Sequence, residues 1–359
     1  SIARMLKSNP GVGLVITVDN GINSVEPVRS LKAKWMSVVV TDHHLPGEEL
    51  PDANALVDPK VASAPGCDDL CGAGIAFFLA QALASAASER GLHDGVKFGA
   101  PLLVLAGLAT VADLMPLVDQ NRILVKNALA RFAAAPAGLR ELNARASRRT
   151  GEPKSRDFGF LLSPRINAAG RVASAHDAYD LLMASDAPEA REEVRRLAMI
   201  VDTHNVTRKS VENGLAEQAR AAVGETPPAG AIVYAVPAEP SAYGRPDLRS
   251  GVAGIVAARL LEHYGVSVAI VVGDHGSARA ADGCNVHDAL AACADETLVR
   301  FGGHAAAGGF TLKPGKLEDF RRLFAAACAA QRAGAAGAGG KPFREPDLWL
   351  DWKDFMLEL

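Results

Sequence analysis

The residues best equipped for chemistry are Asp19, Asp42, His43 and His44. Two carboxylates and two adjacent imidazoles make a mixed oxygen and nitrogen donor set, which suits Mn²⁺ or Mg²⁺ better than a metal held by thiolates. Carboxylates can bridge two divalent ions while an imidazole fills a position on one of them. Paired ions stabilise the attacking and leaving oxygens of a phosphoryl transfer, so hydrolysis of a phosphate ester is the expected chemistry. A His-His pair alone would carry little, and polar residues at strand ends also cap neighbouring helices. The second strand-end aspartate is what favours a metal.

Two further segments offer contacts to a phosphate backbone. Residues 164–171 read as a loop that presents Arg165, Asn167 and Arg171 toward a cleft, a set suited to positioning a nucleic-acid backbone. They close a stretch, 140–171, with eight basic residues against three acidic ones, a local excess of five positive charges. A solvated loop is the other reading of that stretch. In the run 302–309, Gly302 and Gly303 let backbone N–H groups approach a phosphate, with His304 as an additional donor. A tight turn between a helix and a strand would use the same residues. Arg208 could add to a nucleic-acid path or be a solvent-facing helix charge.

Composition limits the rest. The chain has 359 residues, 49% hydrophobic and 22% charged, enough for two domains with their own cores. A net charge of −3 excludes a molecule that binds nucleic acid through overall charge, so any such role rests on local patches. The five cysteines, Cys67, Cys71, Cys284, Cys293 and Cys328, form no C-x-x-C pair and read as reduced thiols of a reducing compartment. With no apolar run of membrane-spanning length and no signal-peptide pattern, a soluble cytoplasmic protein off the membrane is expected; a monomer is the expected state.

The elements that position these residues follow from hydrophobic periodicity. Residues 13–18 and 37–41 are short β-branched runs ending in Asp19 and Asp42, and both read as buried parallel strands. Asn23 or Ser24 can cap the helix between them, which gives a β-α-β unit. Polar groups beyond the C-terminal ends of parallel strands converge on one crevice, so Asp19, Asp42, His43 and His44 face a single site. Residues 72–90 and 100–112 read as apolar helices, with Asp113 emerging at the end of the second; by itself, a carboxylate after an apolar helix is more often a surface terminator than a ligand. A long charged helical connector follows at 176–222. Pro227 and Pro228 then open a second α/β segment with a strand at 231–236, a helix at 254–263 and a strand at 267–272. Residues 331–341 read as a Gly/Ala-rich flexible linker.

Val18-Asp19-Asn20-Gly21, Thr41-Asp42-His43-His44 and Ala109-Thr110-Val111-Ala112-Asp113 resemble consecutive motifs of the DHH phosphoesterase family. The resemblance continues through residues 70–74, 164–171 and 301–310, covers roughly 10–330, and is strongest to the family's single-strand DNA exonucleases. It implies a DHH-type parallel-sheet domain (1–175), the helical connector (176–222), a smaller α/β DHH-associated substrate domain (223–330), and the start of an OB fold after the linker (342–359). It also implies that Asp19 bridges two metals, that His43 and Asp113 bind one of them, and that His44 contacts the scissile phosphate while Asp42 orients its histidine neighbours. Gly302, Gly303, His304 and Arg279 would grip the substrate backbone; a surface ion pair is the other reading of Arg279. The activity implied is 5′-to-3′ release of nucleotides from single-stranded DNA with Mn²⁺ or Mg²⁺, in repair and recombination. A single-strand-binding protein and a recombination helicase are the implied partners.

The chain departs from the pattern twice. An upstream Asp-x-Asp strand end has no counterpart, so half of the metal ligands and a first strand are expected to lie before residue 1, and a C-terminal domain after the linker. At 248–252, where the pattern carries a Trp-His pair, Arg249 takes the histidine place and can contact phosphate but cannot transfer protons near neutral pH. Cleavage of short oligoribonucleotides or cyclic dinucleotides, or binding of single strands without cleavage, are the competing expectations.

Overall fold

The computed structural model describes residues 6–63, 65–92, 99–147, 152–237 and 247–337. They form two compact units, the first ending at Val206 and the second starting at Thr207.

In the first unit, strands β1 (Leu14–Val18), β2 (Ser37–Thr41) and β3 (Ala55–Val57) form a parallel sheet in that order, with helix α1 (Val25–Lys32) crossing from β1 to β2. Val28 and Leu31 of α1 cover Val38 and Val40 of β2, a small apolar layer that fixes the crossover. Two expectations are corrected. β1 is not buried, because Leu14, Ile16 and Val18 stand 45–51% exposed on its outward face. The cap of α1 falls at Ser24, but the Ser24 side chain makes no capping bond; the Asn23 side chain instead donates to Leu45 O and accepts from Gly47 N, tying down the loop after the histidines.

Helices α2 (Gly72–Glu89), α3 (Ala100–Ala112), α4 (Asp119–Ala130) and α5 (Ala137–Ala146) follow. A single π-type turn, Phe158–Leu162, leads into α6 (Ser163–Val172), and α7 (Ala175–Met183) comes next. Residues 164–171 are therefore helix rather than loop. Pro164 sits in the first turn, where its missing N–H costs nothing, and Ala168, Ala169 and Val172 supply a buried stripe. Phe158, Leu162, Leu139, Leu142 and Leu181 centre this helical core.

The expected connector resolves into α7 and the 33-residue helix α8 (Arg191–Val223). Its residues serve as core in both units: Ala178, Leu181, Leu197, Ala198 and Val201 in the first, and Leu215, Ala216 and Ala219 in the second.

The second unit holds β4 (Ala231–Ala235), α9 (Arg249–Tyr264), β5 (Ser267–Val272), β6 (His275–Arg279), α10 (Val286–Thr297), β7 (Leu298–Gly303), β8 (Ala307–Leu312) and α11 (Leu317–Gly337). The sheet order is β4-β5-β6-β8-β7, parallel only between β4 and β5. Interior strand β5 is buried at all six positions, as its unbroken apolar run requires when helices cover both faces. α9 and the end of α8 pack on one face, and α10 and α11 on the other. Residues 331–337 continue α11, a correction to the expected linker: alanine is the strongest helix former, and the run extends a helix anchored by buried Phe320, Phe324 and Cys328. The rest of that linker and the expected OB segment lie outside the described residues.

Candidate metal centre

The register of the first sheet brings the chemistry together. Val18 pairs with Thr41, so Asp19 and Asp42 leave their strands side by side. Backbone bonds continue one step beyond each strand: Asp19 N donates to Thr41 O (3.1 Å) and Asp42 N to Val57 O (3.1 Å). Asp19 then takes a left-handed backbone, φ 62°, which is uncommon for a residue with a Cβ and turns its carboxylate off the strand direction.

His43 is the hub. Its Nε2 lies 3.0 Å from Asp19 Oδ1 and 3.5 Å from Asp113 Oδ2, with Asp113 delivered by the C-terminal end of α3. Burial pushes the Asp113 carboxyl up, the nearby Asp19 charge adds to that, and His43 pulls against both. Two carboxylates facing one imidazole nitrogen are the environment in which a cation relieves like-charge repulsion. Among the described residues, Asp19, His43 and His44 form the one group of three whose ligand atoms lie within 4.8 Å of one another. The donors are oxygen and nitrogen, about half exposed at the carboxylates, and they fit a hard divalent ion.

Asp42 does different work. Its side chain is 2% exposed. Oδ2 accepts from Ile22 N (3.0 Å), and Oδ1 accepts from His43 N (2.8 Å), His44 N (3.3 Å) and His44 Nδ1 (2.7 Å). Burial alone would raise this carboxyl, but the bonds from Ile22 and from the two histidines outweigh it and hold it below the usual range. The ionised Asp42 in turn raises His44, against the cost of its partial burial, and makes Nδ1 the protonated nitrogen.

Two contributors escaped the sequence reading. A Cβ at Gly72 would lie 2.4–2.6 Å from Asp19 Oδ1, Cβ and Cγ, so only glycine leaves room for the aspartate at the start of α2. Asp58 follows β3 as Asp19 follows β1 and Asp42 follows β2, a signal that the three-residue strand was too short to reveal. It is buried, accepts from Lys60 N (2.8 Å) through Oδ1, and has no protein hydrogen-bond partner at Oδ2. Burial, and then the Asp42 charge, push its carboxyl up.

The expected phosphate contacts are placed as follows. Arg165 turns inward on α6, where Nε donates to Asp202 (2.8 Å) and Nη1 to Leu161 O (2.8 Å). Asn167 and Arg171 are exposed on the same helix. The basic stretch is dispersed: Arg140 is paired with Asp186, and Arg148 and Arg149 lie outside the described residues. In the second unit Arg249 opens α9 and is held by Asp247 through Nε (2.9 Å) and Nη2 (2.6 Å). Arg279 ends β6 with its guanidinium against Gly254. Gly302, Gly303 and His304 form the end of β7 and the turn into β8, all exposed. That turn joins two strands, not the helix and strand of the competing reading, and is closed by His304 N to Ala307 O (2.8 Å).

A parallel sheet whose strand ends carry an Asp and an Asp-His-His run, together with a second mixed-sheet unit after a long helix, defines the class of two-domain DHH proteins. Residues 2–108 match the DHH family, N-terminal domain, and residues 230–330 match the DHHA1 domain. The chain belongs to the RecJ family. It is 36% identical over 340 residues to the single-stranded-DNA-specific exonuclease RecJ of Salmonella typhimurium, an alignment covering 88% of this chain and 56% of that protein. A crystal structure of exonuclease RecJ bound to manganese superposes with a TM-score of 0.73 at 31% identity, covering 92% of this chain and 78% of the other. RecJ of Thermus thermophilus in complex with Mn²⁺ gives a TM-score of 0.78 at 31% identity over 92% of this chain and 47% of that one, and its Mg²⁺ complex gives 0.69. The chain spans about half the length of the curated relative it matches. No helix among the described residues is long and apolar enough to cross a membrane.

Proposed function

We propose that the protein carrying this chain is a metal-dependent exonuclease that releases nucleotides from the 5′ end of single-stranded DNA. The observation that carries this reading is the convergence of Asp19, His43 and Asp113 beside a His44 whose Nδ1 is fixed on buried Asp42. Asp19, His43 and Asp113 would hold Mn²⁺ or Mg²⁺. The ion would supply Lewis-acid polarisation of the phosphoryl group and a lowered pKa for the attacking water.

The remaining steps belong to side chains. Asp42 holds His44 in one tautomer and favours its charged form, so His44 Nε2 donates to a non-bridging phosphate oxygen. Asp42 orients and takes no proton. Asn167 and Arg171 on α6, and Arg249, Arg279, Gly302, Gly303 and His304 in the DHH-associated unit, contact the single strand, while Arg165 acts through its pair with Asp202. In this reading 1–175 is the phosphoesterase domain and 223–330 the substrate domain. A single-strand-binding protein and a recombination helicase as partners, and a monomer working in the cytoplasm, belong to the same reading and rest on the family resemblance.

The test is degradation of 5′-labelled and 3′-labelled single strands with Mn²⁺ or Mg²⁺. Early release of the 5′ label as mononucleotide, lost in Asp19→Ala and His43→Ala, is expected. Cleavage confined to short oligoribonucleotides or cyclic dinucleotides would move the assignment to small-substrate phosphodiesterases. Salt-sensitive binding of single strands without cleavage would reduce it to a binding module.

A further inference from the structure

The second unit carries a thiol pair that the proposed nuclease chemistry does not use. Cys284 lies in the connection between β6 and α10, half-buried, and Cys328 is fully buried on α11. Cys328 is part of an apolar core of the second unit, and Cys284 packs against that same core. The two backbones are clamped at this point: Gln331, one turn after Cys328, accepts from Asn285 N (2.6 Å) and donates to Asn285 O (3.3 Å). Ser267 Oγ accepts from Ala281 N (3.0 Å) in the same connection, and the Arg332 charge acts on Cys284 from α11.

Hydrogen bonds from Cys328 and Ser267 together with the Arg332 charge favour a thiolate, and they lower Cys284 to about 6 against the opposing effects of burial and Asp288. Cys328 is pushed up by its bond to Cys284 and by burial, and keeps its proton. Cys293, buried in the same core, is pushed up by burial to about 11. One cysteine is thus polarised as a nucleophile, with a second thiol held against it.

We propose that Cys284 is a site of oxidation by hydroperoxides, with Cys328 as the resolving thiol that converts it to an intramolecular disulfide. In the first step the Cys284 thiolate attacks a peroxide oxygen; an S–O bond forms, the O–O bond breaks, and water or an alcohol leaves after taking up a proton. In the second, Cys328 sulfur attacks the Cys284 sulfenic acid; the S–S bond forms, the S–O bond breaks, and the departing hydroxyl leaves as water with the Cys328 proton. Two thiols are oxidised and one hydroperoxide is reduced. The bond ties the 280–285 connection to α11. The ends of that connection also secure the β7-β8 turn, through Ala280 N to Ala306 O (3.0 Å) and Val286 N to Ala305 O (2.8 Å).

The experiment treats the folded protein with hydrogen peroxide, blocks residual thiols with an alkylating agent and maps peptides by mass spectrometry. A Cys284–Cys328 linked peptide, lighter by two hydrogens and reversed by dithiothreitol, is expected as the main product, with Cys293 recovered alkylated only after unfolding. In Cys328→Ala the same treatment leaves Cys284 as a sulfenic acid trapped by dimedone, and in Cys284→Ser Cys328 stays a thiol. The idea is overturned if Cys284 survives peroxide while Cys67 is oxidised, or if Cys284 is oxidised in the unaltered chain without the link to Cys328. Far-UV circular dichroism on each variant identifies one that has unfolded. If Cys328→Ala unfolds, the linked peptide in the unaltered chain and its absence from Cys284→Ser decide the matter.

Discussion

Gly72 occupies the space that Asp19 needs: a methyl group at position 72 would sit 2.4 Å from Asp19 Oδ1. Gly72→Ala should therefore leave the fold intact while displacing the carboxylate, at a cost of about 10–100-fold in Mn²⁺ affinity, the range typical of groups that orient a metal ligand. Titration calorimetry with Mn²⁺ and circular dichroism on the same sample check it. Wild-type affinity in the variant would remove Asp19 from the ligand set.

Asp42 is the acceptor of four hydrogen bonds at the turn that carries both histidines. In Asp42→Asn one oxygen becomes a donor facing other donors inside a buried site. A loss of about 3 kcal/mol is expected in urea denaturation, along with nuclease activity.

Arg165 and Arg171 share α6 but should behave differently. Arg165, 14% exposed, partners the largely buried Asp202, so Arg165→Ala should lower stability by about 2–3 kcal/mol by leaving that carboxylate unpaired. Arg171 is exposed, and Arg171→Ala should reduce the salt slope of single-strand binding by about one. Thermal melts and binding isotherms at several salt concentrations separate the two.

Two glycines of the β7-β8 hairpin make a matched test. At Gly308 a Cβ would meet Leu290 Cδ1 at 2.8 Å and Val286 Cγ1 at 2.9 Å, so Gly308→Ala should destabilise the second unit by about 2 kcal/mol. At Gly302 nothing lies within 4 Å, and Gly302→Ala should fold normally. If a DNA backbone approaches there, its affinity falls by on the order of tenfold, about 1.4 kcal/mol.

Arg249 holds the Asp247 carboxyl below its ordinary value of 3.8, and this outweighs a partial burial that would raise it. Asp247 is 37% exposed, so after solvent screening the pair contributes about 0.5 kcal/mol. The folded value is depressed, so that contribution is present above the unfolded value and is lost as pH falls through the folded one. An NMR titration should give Asp247 a midpoint below 3.8 that rises toward it in Arg249→Ala.

Periodicity and strand-end chemistry were legible from residues alone. Two β-branched runs ending in aspartate imply parallel strands with a shared C-terminal edge, and this pattern placed Asp19 beside Asp42-His43-His44. The long apolar helix ending at Asp113 and the second α/β segment were legible for the same local reason. What local pattern does not encode is which neighbour a side chain meets. Arginines spaced along 164–171 look alike in sequence, yet α6 turns Arg165 toward Asp202, because helical geometry and the burial of Ala168, Ala169 and Val172 set its face. The exposure of the outward side of β1 depends on what packs over the strand, which its residues do not report. The need for glycine at 72, the orphaned oxygen of Asp58 and the closeness of Cys284 to Cys328 all arise between elements distant in the chain. The sequence determined the family, most of the elements and the donor types; tertiary packing decided which donors meet, which charges are already paired, and where a single Cβ cannot fit.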